Sequence, residues 1–388
     1  MKREPDELRQ QLDVDAAALS KIPADPLIRP DPVAPFLQPV DKLTDRVVQS
    51  ERLKFGATYT FLNHYATITP DGTRHNQLSG RLDFTGAWSV YDHGSTAGSI
   101  SLLVRSGTNI GISQQFNLSD RLGSGLYLNC LQGGGPQEPI TLNVLYWRQD
   151  FLRKRLSFYV GKIHPNEFVS LSMFNNDERT QFLNGANDGN LAVASDGTYA
   201  GGGAVEFQAT RHVYIHAITV DTEGAQQRNI ETLVDRKYAE GVEVGWRSGS
   251  LGETYRHYRI GMWRDDTKNN GSGYGGGIGF DHELSNGWTP FGRFGVSTST
   301  GTAIKQIMGI GLARVRPFGR RGDLFAMAFN YSVASQGKRH ESVFESFYRL
   351  RLTQSVNIGP DLEVSIHPTY ATKAYTTTLL GARMQIIF

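Results

Sequence analysis

The last nine residues constrain the fold more than any other stretch, because they alternate strictly and end on an aromatic residue. One set of alternate positions is apolar and consists of Leu380, Ala382, Met384, Ile386 and Phe388. The other set consists of Gly381, Arg383, Gln385 and Ile387. A strand with a period of two residues places the two sets on opposite faces. A transmembrane β-barrel closes its ring on such a strand, with the apolar face toward lipid. The alternative is an edge strand of a soluble β-sandwich.

The composition agrees with a barrel. The mean hydropathy is −0.36, and no run of about 18 apolar residues is present, so no transmembrane helix is expected. Only alternate residues of a barrel strand meet lipid, which keeps the average hydropathy low. The 43 Gly, 16 Tyr and 20 Phe residues suit tight turns and the aromatic girdles of such barrels. A net charge of +2 argues against a nucleic-acid binder, which carries a concentrated basic excess.

Residues 1–50 differ from the rest of the chain. They hold seven of its 15 prolines and show no alternation, which predicts an extended proline-rich N-terminal arm. Short helices are possible at 5–20 and 40–50. A disordered tail, a periplasmic segment and a plug inside the barrel all remain open. The first residues lack the apolar core of a secretory signal, so we expect the chain to be a processed or shortened form of an exported protein.

From residue 51 to 388 the alternation predicts an all-β fold, a closed antiparallel transmembrane β-barrel of about 16 strands. The strands are expected to begin near residues 53, 78, 98, 140, 155, 201, 212, 238, 255, 274, 288, 306, 324, 346, 361 and 378. Tight turns are predicted at Asn286-Gly287 and at Gly359-Pro360-Asp361. The stretches 106–139 and 164–200 are too long for turns and are predicted to be loops.

Catalytic and metal-binding signatures are missing from the sequence. It has no nucleophile elbow, phosphate-binding loop or paired zinc spacing. His212 and His216 share a strand face, but they would lie about 13 Å apart along it, too far to bind one metal ion. We therefore expect no enzymatic activity, no cofactor and no metal site.

Charged residues recur on the polar face of many strands, which predicts a wet interior, because Arg or Lys on the lipid face costs about 2–4 kcal/mol at the midplane. The predicted substrate path comprises Arg81, Asp83, Arg259, Arg293, Glu345, Tyr348, Arg349, Arg351, Glu363 and Arg383. Their mixed signs argue against a strongly ion-selective ring and suit hydrogen bonding to sugar hydroxyls. The alternative is that these charges pair with one another and only hold the shape of the barrel.

The loop 164–200 is the predicted constriction. It carries aromatic, amide and carboxylate groups that suit a neutral polyol, namely Phe174, Phe182, Asn184, Asn187 and Asp188. An exposed surface loop is the alternative.

Several segments of the chain, in their order, resemble the carbohydrate-selective porin (OprB) family. The carboxyl-terminal segments are Arg320–Leu324, Phe329–Ser332, Glu345–Thr353, Gly359–Val364 and His367-Pro368. The earlier ones are Tyr159–Phe168 and Phe182–Asn184. The resemblance implies a sixteen-stranded bacterial outer-membrane channel for small neutral sugars, with Glu345, Tyr348, Arg349 and Glu363 at motif positions. The proline-rich arm replaces the family's tryptophan- and glycine-rich N-terminal segment, and His367-Pro368 replaces its Asn-Pro step.

Two functions follow as expectations. The first is passive diffusion of small carbohydrates across the outer membrane. The second is polysaccharide export coupled to a periplasmic partner through the N-terminal arm. In both, the surrounding lipid and the barrel-assembly machinery, which reads the C-terminal strand, are the other expected partners. A lipid-modifying barrel enzyme is disfavoured, because no Ser/His pair is evident at the lipid boundary.

Overall fold

The described residues form one sheet of sixteen strands. The computed structural model describes residues 25–38, 52–73, 75–106, 117–132, 140–193, 199–224, 231–251, 254–267, 271–299, 304–335 and 339–388. The strands are β1 (Leu53–Ala66), β2 (Asn76–Asp92), β3 (Ala97–Ser106), β4 (Ile140–Phe151), β5 (Leu156–Ile163), β6 (Ala200–Gln208), β7 (Val213–Asp221), β8 (Tyr238–Ser248), β9 (Arg256–Thr267), β10 (Gly271–His282), β11 (Trp288–Ser297), β12 (Ile304–Val315), β13 (Leu324–Ala334), β14 (His340–Arg351), β15 (Val356–Ile366) and β16 (Thr376–Ile387).

The sheet is a closed barrel in which each strand pairs with its neighbours in sequence, and β16 pairs back onto β1. At this seam the strands are antiparallel, with Tyr59 opposite Ile386 and Tyr65 opposite Leu380. The amide of Phe388 also donates to the carbonyl oxygen of Ala57 at 2.9 Å. The predicted closed sixteen-stranded antiparallel barrel is therefore confirmed.

The two faces of the barrel differ in chemistry. Apolar side chains dominate the exposed outer positions, among them Leu380 at 52%, Ile260 at 57%, Ile310 at 62% and Met262 at 66% exposure. The alternate positions point inward and are mostly small, polar or charged, so that Arg383 beside Leu380 and Ala382 is only 8% exposed. This is the arrangement that alternation in the C-terminal strand predicts.

The two ends of the barrel also differ. At one end of the barrel, short turns connect each even-numbered strand to its successor, from β2 and β3 to β14 and β15. The first strand begins and the last strand ends at this same end. We call it the turn end; in outer-membrane barrels it is the periplasmic end. Outward aromatic residues gather here and contact one another across strands. Ring centroids lie 5.8 Å apart for Trp246 and Tyr258 and 6.1 Å apart for Trp288 and Phe325.

One predicted turn is right and the other is wrong. Asn286-Gly287 ends the loop between β10 and β11, with Gly287 in the left-handed region at φ 79°. Gly359-Pro360-Asp361 instead lies inside β15, and the connection from β14 to β15 is at 352–355. Pro360 is tolerated because no β14–β15 pair is formed between Phe347–Asp361 and Leu350–Ile358, so the missing N–H interrupts a ladder that is already open. The misplaced turn explains why β14 and β15 begin about six residues before their predicted starts.

The described part of the N-terminal arm, residues 25–38, contacts the turn end of the barrel. The amides of Leu27 and Ile28 donate to the carbonyl oxygens of Arg351 and Leu352 at 3.2 and 2.9 Å. Asp25 forms an ion pair with Arg321 at 3.1 Å. The predicted helices at 5–20 and 40–50 lie outside the described residues, as does the predicted boundary at 50/51. No helix in the described ranges is long and apolar enough to cross a membrane.

Two connections at the other end of the barrel are long. The first, between β3 and β4, contains the short helix α1 (Leu118–Leu122); its described part, 117–132, is called the first inner loop. The second lies between β5 and β6, and its described residues 164–193 are called the second inner loop. Both have many buried residues, which excludes a purely exposed surface loop.

Charge on the outer face should be costly. Ile310 lies near the middle of β12 and faces outward. We expect Ile310→Arg to lower the free energy of unfolding in lipid vesicles by about 2–4 kcal/mol, measured by urea titration of tryptophan fluorescence. The control Ile310→Met keeps the side chain apolar and should change little. Equal unfolding free energies for the two variants would contradict the assignment of this face to lipid.

Candidate pore and constriction

The second inner loop is tied to the barrel wall by a carboxylate on β14. Glu345 accepts hydrogen bonds from the amides of Leu183 and Asn184 at 2.6 and 3.2 Å, and from Asn187 Nδ2 at 2.9 Å. On the next strand, Glu363 Oε2 accepts from Asn184 Nδ2 at 3.0 Å. Three donors thus converge on one buried carboxyl group and tie the loop to β14.

Arginines hold the same loop from other parts of the wall by binding its backbone carbonyl groups. Arg293 on β11 donates to the carbonyl oxygen of Ala186 at 2.8 Å and also to that of Gly189. Arg383 on β16 donates to the carbonyl oxygen of Glu178 at 2.8 Å. Arg349 on β14 contributes a longer bond, 3.4 Å, to the carbonyl oxygen of Thr180. These arginines therefore use some of their N–H groups to hold the loop, so that fewer of them are free to contact a solute.

A second ion-pair network joins the loop to β2 and β3. Asp83 accepts from Arg81 Nε at 3.0 Å and from Arg105 Nε at 2.7 Å. Both arginines also pair with Glu178 of the second inner loop, Arg105 at 3.3 Å. Burial alone would raise the pKa of the Glu178 carboxyl, but Arg81 and Arg105 outweigh it and hold that pKa well below its usual range. Glu178 is therefore a carboxylate at neutral pH.

A third network lies at the beginning of the loop. Asp281 on β10 accepts from Arg259 at 2.7 Å and from the Ser172 hydroxyl at 2.5 Å. Glu243 on β8 accepts from the Ser170 amide at 2.6 Å and from the Tyr214 hydroxyl at 2.8 Å. Wall carboxylates thus fix both halves of the second inner loop.

Two wall glycines allow the loop and an arginine to lie close to the sheet. A Cβ atom on Gly295 would stand 2.6 Å from Asn190 Oδ1 of the second inner loop. A Cβ on Gly279 would stand 2.7 Å from the guanidinium carbon of Arg259. Both distances are shorter than real Cβ contacts, so a side chain at either position would require the ends of the Asn190 or Arg259 side chains to shift.

The aromatic residues of the predicted constriction pack into the wall. Phe174 and Phe182 are buried, at 2% and 0% exposure. The ring of Phe182 lies 5.0 Å from that of Phe347, and Phe174 lies 5.8 Å from Phe291. They anchor the loop through apolar burial, and their faces are not available to a passing solute. Asn184 and Asn187 are likewise buried, and Asp188 is half-buried.

The structure sorts the ten predicted lumen residues. Nine of them lie on the inner face: Arg81, Asp83, Arg259, Arg293, Glu345, Arg349, Arg351, Glu363 and Arg383. Arg351 lies at the turn end, away from the second inner loop, and donates to Asn357 Oδ1 at 3.2 Å. The assignment of Tyr348 to the lumen is wrong, because its side chain lies on the outer face. It pairs across strands with outward Phe325, and its hydroxyl donates to Asp323 at 2.9 Å, as expected of an amphipathic aromatic at a membrane interface.

Many of the polar side chains that keep some exposure on the inner face lie toward the turn end. They include Lys54, Thr85, Ser89, Ser99, Ser101, Arg148, Glu206, Gln208 and Arg247. Arg148 lies over the ring of Tyr159 at 5.3 Å, and the Tyr159 hydroxyl donates to Glu206 at 2.6 Å. None of these residues belongs to the predicted substrate path, although alternation in β2 and β3 places the four hydroxyl residues inward. Hydroxyl, guanidinium, carboxylate and aromatic groups together can both donate and accept hydrogen bonds along a path.

Comparison with known proteins identifies relatives at several levels. The sequence matches the carbohydrate-selective porin, OprB family, over residues 104–276 and 267–388. It is 24% identical over 257 residues to a porin, AaxA, of Chlamydia abortus, which covers 63% of this chain and 56% of the relative. The chain thus matches little more than half the length of this curated relative.

Solved structures support the fold. A high-pH structure of Pseudomonas putida OprB superposes with a TM-score of 0.74 at 13% identity, covering 89% of this chain and 96% of that one. A Rh. blastica porin superposes with a TM-score of 0.53 at 10% identity, covering 87% and 100%. At these identities the likeness concerns the fold alone. The family match, by contrast, runs from β3 through the closing strand β16, more than half of the chain. The protein therefore belongs to the carbohydrate-selective porin (OprB) family.

Proposed function

We propose that this protein is an outer-membrane channel through which small neutral carbohydrates diffuse passively. The family match over residues 104–388 carries this proposal. The inner face supports it physically. Its charges are largely paired, as in the Asp83 and Asp281 networks, so the wall offers donors and acceptors of both signs rather than the field of one sign that selects ions. A sugar hydroxyl can use both kinds of group.

The selective region of this channel is proposed to lie where the second inner loop narrows the barrel. The predicted loop residues hold the loop in place, so solute contact falls to the half-exposed inner residues toward the turn end. Lys54, Arg148, Glu206 and Arg247 are the charged members of that set. Passage, rather than chemistry, is the proposed role of these solute-facing groups, and neither cofactor nor enzymatic activity is invoked.

The proposal is tested by releasing the loop. Glu345→Ala removes the acceptor for three loop donors, which should loosen the loop and raise the flux of disaccharide-sized relative to glucose-sized sugars in liposome swelling. Glu345→Gln keeps the size but accepts fewer bonds, so it should have a smaller effect in the same direction. As a matched control, Glu240→Gln alters an exposed glutamate of β8 on the outer face and should leave the ratio unchanged.

An unchanged flux ratio in folded Glu345→Ala protein would contradict a constriction made by this loop. Flux of ions but not of sugars through the unaltered protein would contradict the proposed function itself.

Export of a polysaccharide through coupling of the N-terminal arm to a periplasmic partner is the second candidate. The contacts of residues 25–38 with the turn end support it, because a periplasmic partner would approach the barrel from that end. Deleting residues 1–38 separates the two functions. A diffusion channel should retain its sugar flux in liposomes, whereas loss of flux without loss of folded barrel would support a working role for the arm. The double substitution Asp25→Asn with Arg321→Gln serves as a milder variant that only weakens docking.

Assembly through the C-terminal strand is also proposed. Deleting Phe388 removes the terminal aromatic and its backbone bond to Ala57. We expect a lower yield of folded protein in the outer membrane, measured by heat-modifiable gel mobility of membrane fractions. Phe388→Tyr keeps an aromatic end and should preserve the yield; equal yields for the deletion and the unaltered chain would contradict recognition of this residue.

A further inference from the structure

Three polar side chains meet on the inner wall beside the seam that closes the barrel. His64 lies on β1, and Asp361 and Glu363 lie on β15. His64 Nε2 is 3.7 Å from Asp361 Oδ1 and 3.5 Å from Glu363 Oε1. One ligand atom from each residue can be chosen so that all lie within 4.8 Å of one another, and all three residues are buried. Sequence reasoning, which considered only His212 and His216, did not detect this cluster.

A glycine makes this meeting possible. Strand β16 runs between β1 and β15, and Gly381 is the residue opposite both His64 and Asp361. A Cβ atom on Gly381 would stand 2.8 Å from the Cβ of Asp361 and 2.9 Å from Cδ2 of His64. Without that side chain, groups from two strands that are not neighbours can approach across the inner face.

Most polar atoms of the cluster have no hydrogen-bond partner, whereas the nearby carboxylate of Glu341 has several. Both nitrogens of His64, both carboxylate oxygens of Asp361 and Oε1 of Glu363 are buried with no hydrogen-bond partner. The nearby Glu341, by contrast, is bound by the Ser124 hydroxyl and the Gly125 amide at 2.6 and 2.9 Å. Buried carboxylates without partners are strongly unfavourable, and a bound cation would supply the missing partner.

Arginine and lysine form no ion pair with these carboxylates in the described ranges. No arginine or lysine nitrogen lies within 4.0 Å of Asp361 or Glu363, whose ion-pair contacts are with His64; Arg383 acts on Asp361 only from farther away. Arg383, the cationic residue two positions from Gly381, donates to the carbonyl oxygen of Glu178 instead. The remaining oxygen of Glu363 is engaged by Asn184 at 3.0 Å.

We propose that His64, Asp361 and Glu363 bind one divalent metal ion of the zinc class. Ligands about 2.1 Å from an ion at the tetrahedral angle stand about 3.4 Å apart, close to the observed 3.5 and 3.7 Å. An imidazole nitrogen favours zinc over Ca²⁺ and Mg²⁺, which prefer all-oxygen sites. Three protein ligands leave a fourth position for solvent. The ion would link β1 to β15 across the seam and, through Glu363 and Asn184, support the second inner loop.

The test uses the full-length barrel without an affinity tag, refolded in detergent and freed of metal with a chelator. After incubation with Zn²⁺ and gel filtration, elemental analysis should find about one zinc ion per chain. Zinc should also raise the midpoint of thermal unfolding, because an ion that binds only the folded state stabilises it. Mn²⁺, Ca²⁺ and Mg²⁺ are compared at the same concentration. No zinc retained by folded protein overturns the proposal, and tighter binding of Ca²⁺ or Mg²⁺ overturns its zinc class.

Variants locate the ion. His64→Gln and Asp361→Asn should weaken zinc binding by at least about tenfold, since changes to second-shell groups alone can cost that much. Gly381→Ala keeps every ligand but fills the space between them, and should also lose zinc. His340→Gln changes an exposed histidine outside the cluster and should bind zinc as the unaltered chain does. Undiminished binding in folded His64→Gln and Asp361→Asn proteins would place the ion elsewhere and overturn the assignment.

Sugar flux is measured separately on the same samples. This proposal does not rest on the proposed transport function, since zinc content and thermal shift are independent of what passes through the channel.

Discussion

The structure depends on the pairing of β1 with β16. In lipid no water is available to satisfy backbone N–H and C=O groups, so every strand needs a partner on both sides. An open sheet would leave two edges unsatisfied along its length, and the seam from Tyr59–Ile386 to Tyr65–Leu380 removes both. Once the ring is closed, the inner and outer faces are defined, and the alternation of each strand decides which side chains meet lipid and which meet the interior.

The interior is then used mainly to hold loops. Glu345, Arg293 and Arg383 each bind the second inner loop, and Asp83 with Glu178 links that loop to β2 and β3. Each of these charges would be costly inside a barrel if it were alone. The charges of Asp83, Glu178, Arg81 and Arg105 neutralise one another, whereas Glu345, Arg293 and Arg383 find hydrogen-bond partners in the loop backbone. Both arrangements fix a polar segment across the bore.

Much of the fold could be predicted from sequence, because period-two alternation is a local property. Residues such as Leu380 and Arg383 show their facing without knowledge of the partner strand. The two clear errors have different causes. Gly359-Pro360-Asp361 has turn chemistry but lies in a gap in the β14–β15 ladder, and Tyr348 was placed by motif although its strand parity puts it outside. The site was less predictable, since the anchors of Asn184 and Phe182 come from strands more than 150 residues away.

Glycine positions on the inner wall offer a way to vary the width of the channel. Gly279 and Gly295 let Arg259 and Asn190 lie flat against the sheet, so the thickness of the lining at that height is set by the absence of a methyl group rather than by the loop's own sequence. A methyl group added at either position would push the lining toward the barrel axis by less than the diameter of a carbon atom. The calibre of the passage can thus be adjusted in small steps from the wall side, while the sequence of the loop stays as it is.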